Sequence, residues 1–285
     1  MNPTIGIILG DPAGIGPELV AKLYCSGFFA KHCRPLVIGD VRVLKSAFDI
    51  IGAEPEIQAV KTPEDIDWDQ KVLTILDIPM QNLDNLKMGE INKDCGAACV
   101  EWVKVAVALY QKGVISGVCY APLNKGAMLL GGNPVESELE LVAMLLDCKD
   151  AYCEMNMLDN VWTTRITSHI PLCDVSKDLT VESIYKSIKL CDKSLRKAGF
   201  QNPRVGVAAL NPHAGENGHC GTEEIDLITP AIEKAAAEGI NVTRLWKNSE
   251  IWCLRNPAAQ SPLSCTLTLR WVLRWNWSRL CVPVM

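Results

Sequence analysis

Apolar residues run along this chain in two rhythms. Short continuous runs, apolar on both faces of an extended segment, alternate with longer stretches in which apolar positions recur every three or four residues, and Gly, Pro and Asp punctuate the boundaries. The short runs predict strands at Thr4–Leu9, Leu36–Ile38, Val72–Leu76, Val114–Tyr120, Val161–Thr167 and Val205–Leu210. Ile5-Gly6-Ile7-Ile8-Leu9 has no polar face, as expected of a strand covered by helices on both sides. This alternation predicts an α/β protein with a largely parallel sheet.

Helices fill the intervals. The most regular is expected from Thr180 to Ala198, where Val181, Ile184, Ile188, Cys191, Leu195 and Ala198 mark one core face. Lys189, Lys193 and Lys197 share the other face, which reads as solvated surface, and Glu182 precedes Lys186 by four residues, a spacing that supports an ion pair worth about 0.3 kcal/mol. Ala97–Tyr110 is instead apolar nearly all round, with Trp102, Val103, Val105, Ala106 and Val107. It is therefore either centrally buried or packed against another subunit, and the second case would make the protein a homo-oligomer.

Composition narrows the class. The 285 residues are 48% hydrophobic and 21% charged, enough to bury a large core in one big domain or two lobes. A net charge of −5 removes the basic field that non-specific nucleic-acid binding needs. No apolar run reaches bilayer length and no signal peptide opens the chain, so a soluble cytoplasmic protein, with no membrane partner, is expected. The 13 cysteines have no paired C-x-x-C spacing; they read as buried free thiols, including Cys95 and Cys99 four apart on a helix.

Near Val242 the character of the chain changes. All 20 glycines lie at or before this point, whereas the last 43 residues carry 6 Lys+Arg, 1 Asp+Glu and 5 of the 8 tryptophans. An α/β fold needs glycines at its turns and helix ends, so residues 243–285 read as foreign to residues 1–242, and unpacked tryptophans there would make the chain prone to aggregate.

Four segments at predicted strand ends carry chemistry. Gly10-Asp11-Pro12-Ala13-Gly14-Ile15-Gly16-Pro17-Glu18 joins the first strand to a helix; Pro17 suits the first helical position and Glu18 the positive helix end. Its spacing matches neither standard phosphate loop, so it is either a tight turn or a loop that brings backbone close to a ligand. Ala121-Pro122-Leu123-Asn124-Lys125 places an amide and an amine at a strand's carboxyl end, where open α/β sheets bind ligands. Lys125 there is suited to an anionic substrate or simply to solvent. His169, in Ser168-His169-Ile170-Pro171-Leu172, and His213, in Asn211-Pro212-His213-Ala214-Gly215-Glu216-Asn217-Gly218-His219, also follow strands, and two such imidazoles are able to share one metal ion. His219 lies farther along the same loop, and His32, beside Lys31, reads as solvated.

Together, in order and spacing, these four segments resemble the 4-hydroxythreonine-4-phosphate dehydrogenase family of pyridoxal phosphate biosynthesis over residues 1 to about 242. The resemblance implies a two-lobed α/β fold like that of isocitrate and isopropylmalate dehydrogenases, with the active site in the interlobe cleft of a homodimer. It implies oxidation of a secondary alcohol by NAD or NADP with a divalent metal (Zn, Mg or Co) as Lewis acid, followed by decarboxylation. It makes His169 and His213 metal ligands. Lys125 and Asp174 become the catalytic candidates, and Asp11, Glu136 and Ser137 the candidates for substrate binding.

Two departures qualify this. Glu136-Ser137 stands where family members acting on the phosphorylated threonine derivative carry a His-Thr pair; a carboxylate there repels a nearby phosphate or carboxylate unless a cation intervenes, which opens another four-carbon acid phosphate or a cyclic dihydrodiol as the alternative substrate. The family's third metal histidine belongs to a His-Asp-Gln-Gly segment, and no histidine follows His219. A reading-frame change near Val242 would explain both this and the composition shift, and it leaves an inactive remnant or binding protein as the alternative to a working enzyme.

Overall fold

The computed structural model describes residues 2–69, 72–149, 152–158, 161–168, 170–211, 213–245 and 265–268. The chain divides between Cys148 and Lys149 into two compact units.

The first unit is built on a five-stranded parallel sheet of β1 (Thr4–Ile8), β2 (Arg34–Gly39), β3 (Ile57–Val60), β4 (Leu73–Asp77) and β5 (Gly117–Tyr120), in the order β3-β4-β2-β1-β5. Leu36, Val37 and Ile38 are consecutive in β2 and all fully buried. Because successive side chains of a strand point to opposite faces, both faces of the sheet must be covered. The helices that link the strands are α1 (Gly16–Cys25), α2 (Phe28–His32), α3 (Val41–Ile51), α4 (Lys93–Gln111), α5 (Lys125–Leu130) and α6 (Glu138–Leu145).

Helix α4 contains the segment left between two readings by its all-round apolarity. It packs against β1, β2, β5, α5 and α6 of its own unit, burying Cys95, Ala98, Cys99, Trp102, Val103 and Ala106, and the indole of Trp102 donates to the Ile78 carbonyl at 3.1 Å. Central burial thus accounts for the pattern, and this helix offers no argument for a partner subunit. Burial also pushes the Cys95 thiol up to about 11 and raises Cys99 well above its ordinary value, so both stay protonated and inert, as free thiols in a core should.

One polar group is central to this core. The fully buried carboxylate of Asp40 caps α3 by accepting from the Arg42 N–H (2.8 Å), accepts from the Arg42 guanidinium (2.6 Å), and accepts from the Met80 N–H (2.9 Å) across the sheet end. Burial alone would raise this carboxyl, but the hydrogen bonds from Arg42 and Met80 outweigh it and hold the group below its ordinary value. A depressed folded-state value contributes stability above the unfolded-state value near 4 and loses it as the pH falls through the folded one. Asp40→Asn is therefore expected to lower stability by about 2 kcal/mol at neutral pH and to flatten the acid limb of a pH–stability curve, measured by denaturant unfolding.

The second unit carries a second five-stranded sheet. Its strands are β6 (Asn156–Leu158), β7 (Val161–Arg165), β8 (Val205–Ala208), β9 (Val242–Leu245) and β10 (Cys265–Thr268), ordered β6-β7-β10-β8-β9 and parallel except for β6 at the edge. Strand β10 belongs to the glycine-free tail yet lies between β7 and β8, a place the sequence did not suggest for it. Helices α7 (Val175–Asp178), α8 (Val181–Lys197) and α9 (Thr229–Ala237) complete the unit. Helix α8 begins at a capping box between Thr180 and Ser183 and buries Ile184, Ile188, Cys191 and Leu195 against α9 and β8, as its period predicts. Glu182 pairs with Lys186 at 3.8 Å and also with Lys234 of α9 at 2.6 Å.

Candidate functional site

The two ligand-like loops of the first unit follow neighbouring strands. Residues 9–15 leave β1 and 121–124 leave β5, which pairs with β1, so both emerge at the carboxyl end of one sheet edge. They touch through their backbones. Asp11 N–H donates to the Pro122 carbonyl at 2.9 Å, and Gly10, at φ +77°, lies so close that a Cβ would stand 2.5 Å from the same oxygen. Gly16 is equally constrained, since a Cβ there would meet the Leu9 carbonyl at 2.5 Å. These glycines are thus needed for loop-to-loop contact, whatever else the loop binds. Asp11 is buried, with one carboxylate oxygen accepting from the Ala13 N–H at 3.0 Å. Pro17 and Glu18 occupy the first turn of α1, where the sequence placed them.

On the other loop, the Asn124 side chain caps α5 by accepting from the Ala127 N–H at 3.1 Å, so the amide has a local structural duty. The Lys125 ammonium is half-exposed and lies 3.7 Å from the carboxylate of Glu138. That contact draws the segment 136–138 to the same corner. Ser137 caps α6 in a capping box with Glu140, whose carboxylate accepts from the N–H groups of Glu136 and Ser137, both at 3.2 Å. Glu136 is exposed. The segment that carries Glu136 and Ser137 therefore reaches Lys125 through Glu138, although the Ser137 hydroxyl oxygen already serves its helix.

In the second unit, Asp174 closes a 3-10 turn and pairs with Lys177 at 2.8 Å. His169 lies outside the described residues. His213 is exposed on the loop after β8, and its N–H donates to the side-chain oxygen of Asn211 at 3.0 Å. The same oxygen accepts from the Gly215 N–H at 3.3 Å, while the Asn211 amide donates to the Cys220 carbonyl at 3.2 Å, so one side chain ties both ends of the loop. Ala214, Gly215, Glu216, Asn217 and Gly218 all have positive φ. Three of these five are not glycine, and such strain concentrates where a loop must present a functional group.

Beneath this loop lies a residue the sequence reading missed. Glu224 opens a π-helical turn (Glu224–Ile228) that runs into α9; it is 1% exposed and accepts from the Leu210 N–H at 2.8 Å. The signal was present: Glu224, Ile228, Ala231 and Ala235 continue one helical face, putting a carboxylate in line with core positions.

A metal ion is implied by the resemblance, so the donor set matters. Among the described residues, no three His, Cys, Asp or Glu side chains gather as a metal site. His213 is an exposed imidazole on a braced loop, a donor of the right kind, and its suggested partner His169 is outside the described set.

Comparison with known proteins places these loops in context. The sequence model of the family described as "Pyridoxal phosphate biosynthetic protein PdxA" matches residues 31–258. The chain belongs to the PdxA family. The matched range contains the Lys125, Glu136, His169 and His213 segments, begins after the Gly10–Glu18 loop and extends past Val242. The 4-hydroxythreonine-4-phosphate dehydrogenase of Desulforapulum autotrophicum is 35% identical over 245 residues, covering 85% of this chain and 71% of that protein. The D-threonate 4-phosphate dehydrogenase of Cupriavidus necator is 34% identical over 241 residues, 84% and 72% of the two chains. The crystal structure of 4-hydroxythreonine-4-phosphate dehydrogenase from Klebsiella pneumoniae superposes with a TM-score of 0.82 at 28% identity, over 94% of this chain and 81% of that one. The α/β fold is therefore that of PdxA, and this PdxA chain is an enzyme of the dehydrogenase type. No described helix is long and apolar enough to cross a membrane.

Proposed function

We propose that this chain oxidises the secondary alcohol of a four-carbon acid phosphate, of the type of 4-hydroxythreonine 4-phosphate, with NAD or NADP as oxidant. The observation that carries this is the match to dehydrogenases of phosphorylated four-carbon acids across both units of the chain. In the reaction the alcohol carbon loses a hydride to the nicotinamide and the alcohol oxygen loses a proton, leaving a ketone. A β-keto acid so formed then loses carbon dioxide.

Each unit offers side chains for part of this. In the first, the half-exposed Lys125 ammonium suits an anionic substrate group, with Glu138 at 3.7 Å setting its direction. Ser137, whose oxygen caps α6, keeps its hydroxyl proton for donation, and Asp11 stiffens the neighbouring loop. In the second, His213 and His169 are the residues that would hold a divalent metal (Zn, Mg or Co), and Asp174 is the carboxylate candidate for taking up the alcohol proton. Such a metal, when bound, supplies Lewis acidity that lowers the pKa of an alcohol. A cytoplasmic homodimer completes this reading.

Glu136 favours one refinement. Glu136, exposed two residues before the Glu138 that meets Lys125, stands in place of the family's His, and one relative is named for D-threonate 4-phosphate, so a second four-carbon acid phosphate is the alternative substrate beside 4-hydroxythreonine 4-phosphate. The test is nucleotide reduction followed at 340 nm, with both phosphates, a cyclic dihydrodiol, and added zinc, magnesium or cobalt. Turnover of one or both acid phosphates above the dihydrodiol is expected. Faster turnover of the dihydrodiol would contradict the proposed substrate, and no turnover of any of them would favour the non-catalytic alternative.

A further inference from the structure

We infer that Glu224 is a positioning residue that holds the His213 loop in its left-handed shape. The inference takes its functional meaning from the dehydrogenase reading above. Three observations carry it. First, the carboxylate accepts the Leu210 N–H at 2.8 Å, fixing the chain just where it leaves the sheet and one residue before Asn211 starts to organise the loop. Second, the other oxygen, Oε2, is buried with no hydrogen-bond partner among the described residues. It stands against Gly215, so that a Cβ on that glycine would lie 2.8 Å from it and 2.6 Å from the Gly221 carbonyl. Third, Glu224 opens a π-helical turn, a local expansion of the helix that re-aims side chains.

An unpartnered buried carboxylate oxygen is a penalty that a position with no polar duty would shed by accepting an apolar side chain. Here the side chain does two things at once. Its length spans from the π-helical turn to the exit of β8, and its far oxygen fills the space under Gly215, at φ +69°, where no residue with a Cβ fits. The strained run 214–218 is thus held from below by Glu224 and from within by Asn211, and His213 is presented at its start. Glu224 touches neither substrate nor metal in this account; it acts through the loop.

The test compares Glu224→Gln, which keeps the length and the acceptor for Leu210, with Glu224→Asp, which keeps the charge but is one methylene short. The readout is the imidazole resonances of the full chain, simple because the sequence has 4 histidines, with His213 assigned through His213→Ala and folding checked by near-ultraviolet circular dichroism. Glu224→Gln is expected to keep the His213 resonance and a kcat within about twofold of the parent. Glu224→Asp is expected to displace or broaden the His213 signal, leave His32 in place, and lower kcat by about a hundredfold with KM little changed. A folded Asp variant with the parental His213 resonance would overturn the inference, as would a Gln variant that disturbs it equally. Should the Asp variant fail to fold, the Gln variant decides, since a displaced His213 signal there contradicts a role in length and acceptor. If the parent chain turns over no substrate, the dehydrogenase reading fails while the resonance comparison still judges Glu224.

Discussion

His213→Ala is expected to lower kcat/KM by about a thousandfold and to shift the melting temperature by no more than about 2 °C. The split follows from how the loop is built. It is the His213 backbone N–H, which alanine retains, that bonds to Asn211, while the imidazole is exposed and makes no hydrogen bond among the described residues. Surface side chains with no structural partner change stability little on removal. His219→Ala serves as the control: it shares the loop and the exposure, and full activity is expected of it. Steady-state kinetics and thermal melts on the two variants check both halves. Equal losses in the two would mean that the loop, rather than the imidazole of His213, is what matters.

The largest effect on stability is expected at Gly96. Helices α4 and α5 meet backbone to backbone: a Cβ on Gly96 would stand 1.8 Å from the Ala127 carbonyl oxygen, and a Cβ on Gly131 would stand 2.2 Å from the Ala97 nitrogen. Neither neighbour is a flexible side chain that can swing aside. Gly96→Ala must push apart α4, which carries the buried Trp102, and α5, which begins at Lys125. A loss above about 4 kcal/mol is expected, read as a lowered denaturant midpoint or as insoluble protein. A midpoint like that of the parent would show that the two helices are not packed this closely.

Much of this architecture could be read from the sequence, and the residues that could not share a reason. The six expected strands are all present, because a continuous apolar run such as Leu36–Ile38 needs cover on both faces wherever it lies. The heptad-like face of α8 likewise specifies its own burial. Four strands escaped. Ile57–Val60 includes Gln58, which is satisfied by the Thr74 hydroxyl of the next strand, a partner no local pattern reveals. Asn156–Leu158 is too short to carry a rhythm, and Val242–Leu245 straddles the composition boundary. Cys265–Thr268 alternates with polar residues, and its place in the sheet is set by β7 and β8 rather than by its own apolarity.

The site divides in the same way. Segments anchored at strand ends, such as Lys125 and His213, were legible because sheet topology places loops at the carboxyl edge. Asp40, Asn211 and Glu224 were not singled out, because what makes them important is a backbone partner on a distant residue: the Met80 N–H, the Cys220 carbonyl and the Leu210 N–H respectively. Glu136 and Ser137 were found as candidates, but the capping box that fixes them depends on Glu140, which the sequence reading passed over.

The most direct test of the account is X-ray absorption at the zinc edge of the full chain loaded with zinc, compared with the same measurement on His213→Ala. Imidazole scattering in the parent that diminishes in the variant, together with weaker zinc retention on dialysis, is the result expected of a metal held by His169 and His213. A parent protein that retains no zinc, or a zinc shell unaltered by the loss of His213, would contradict it.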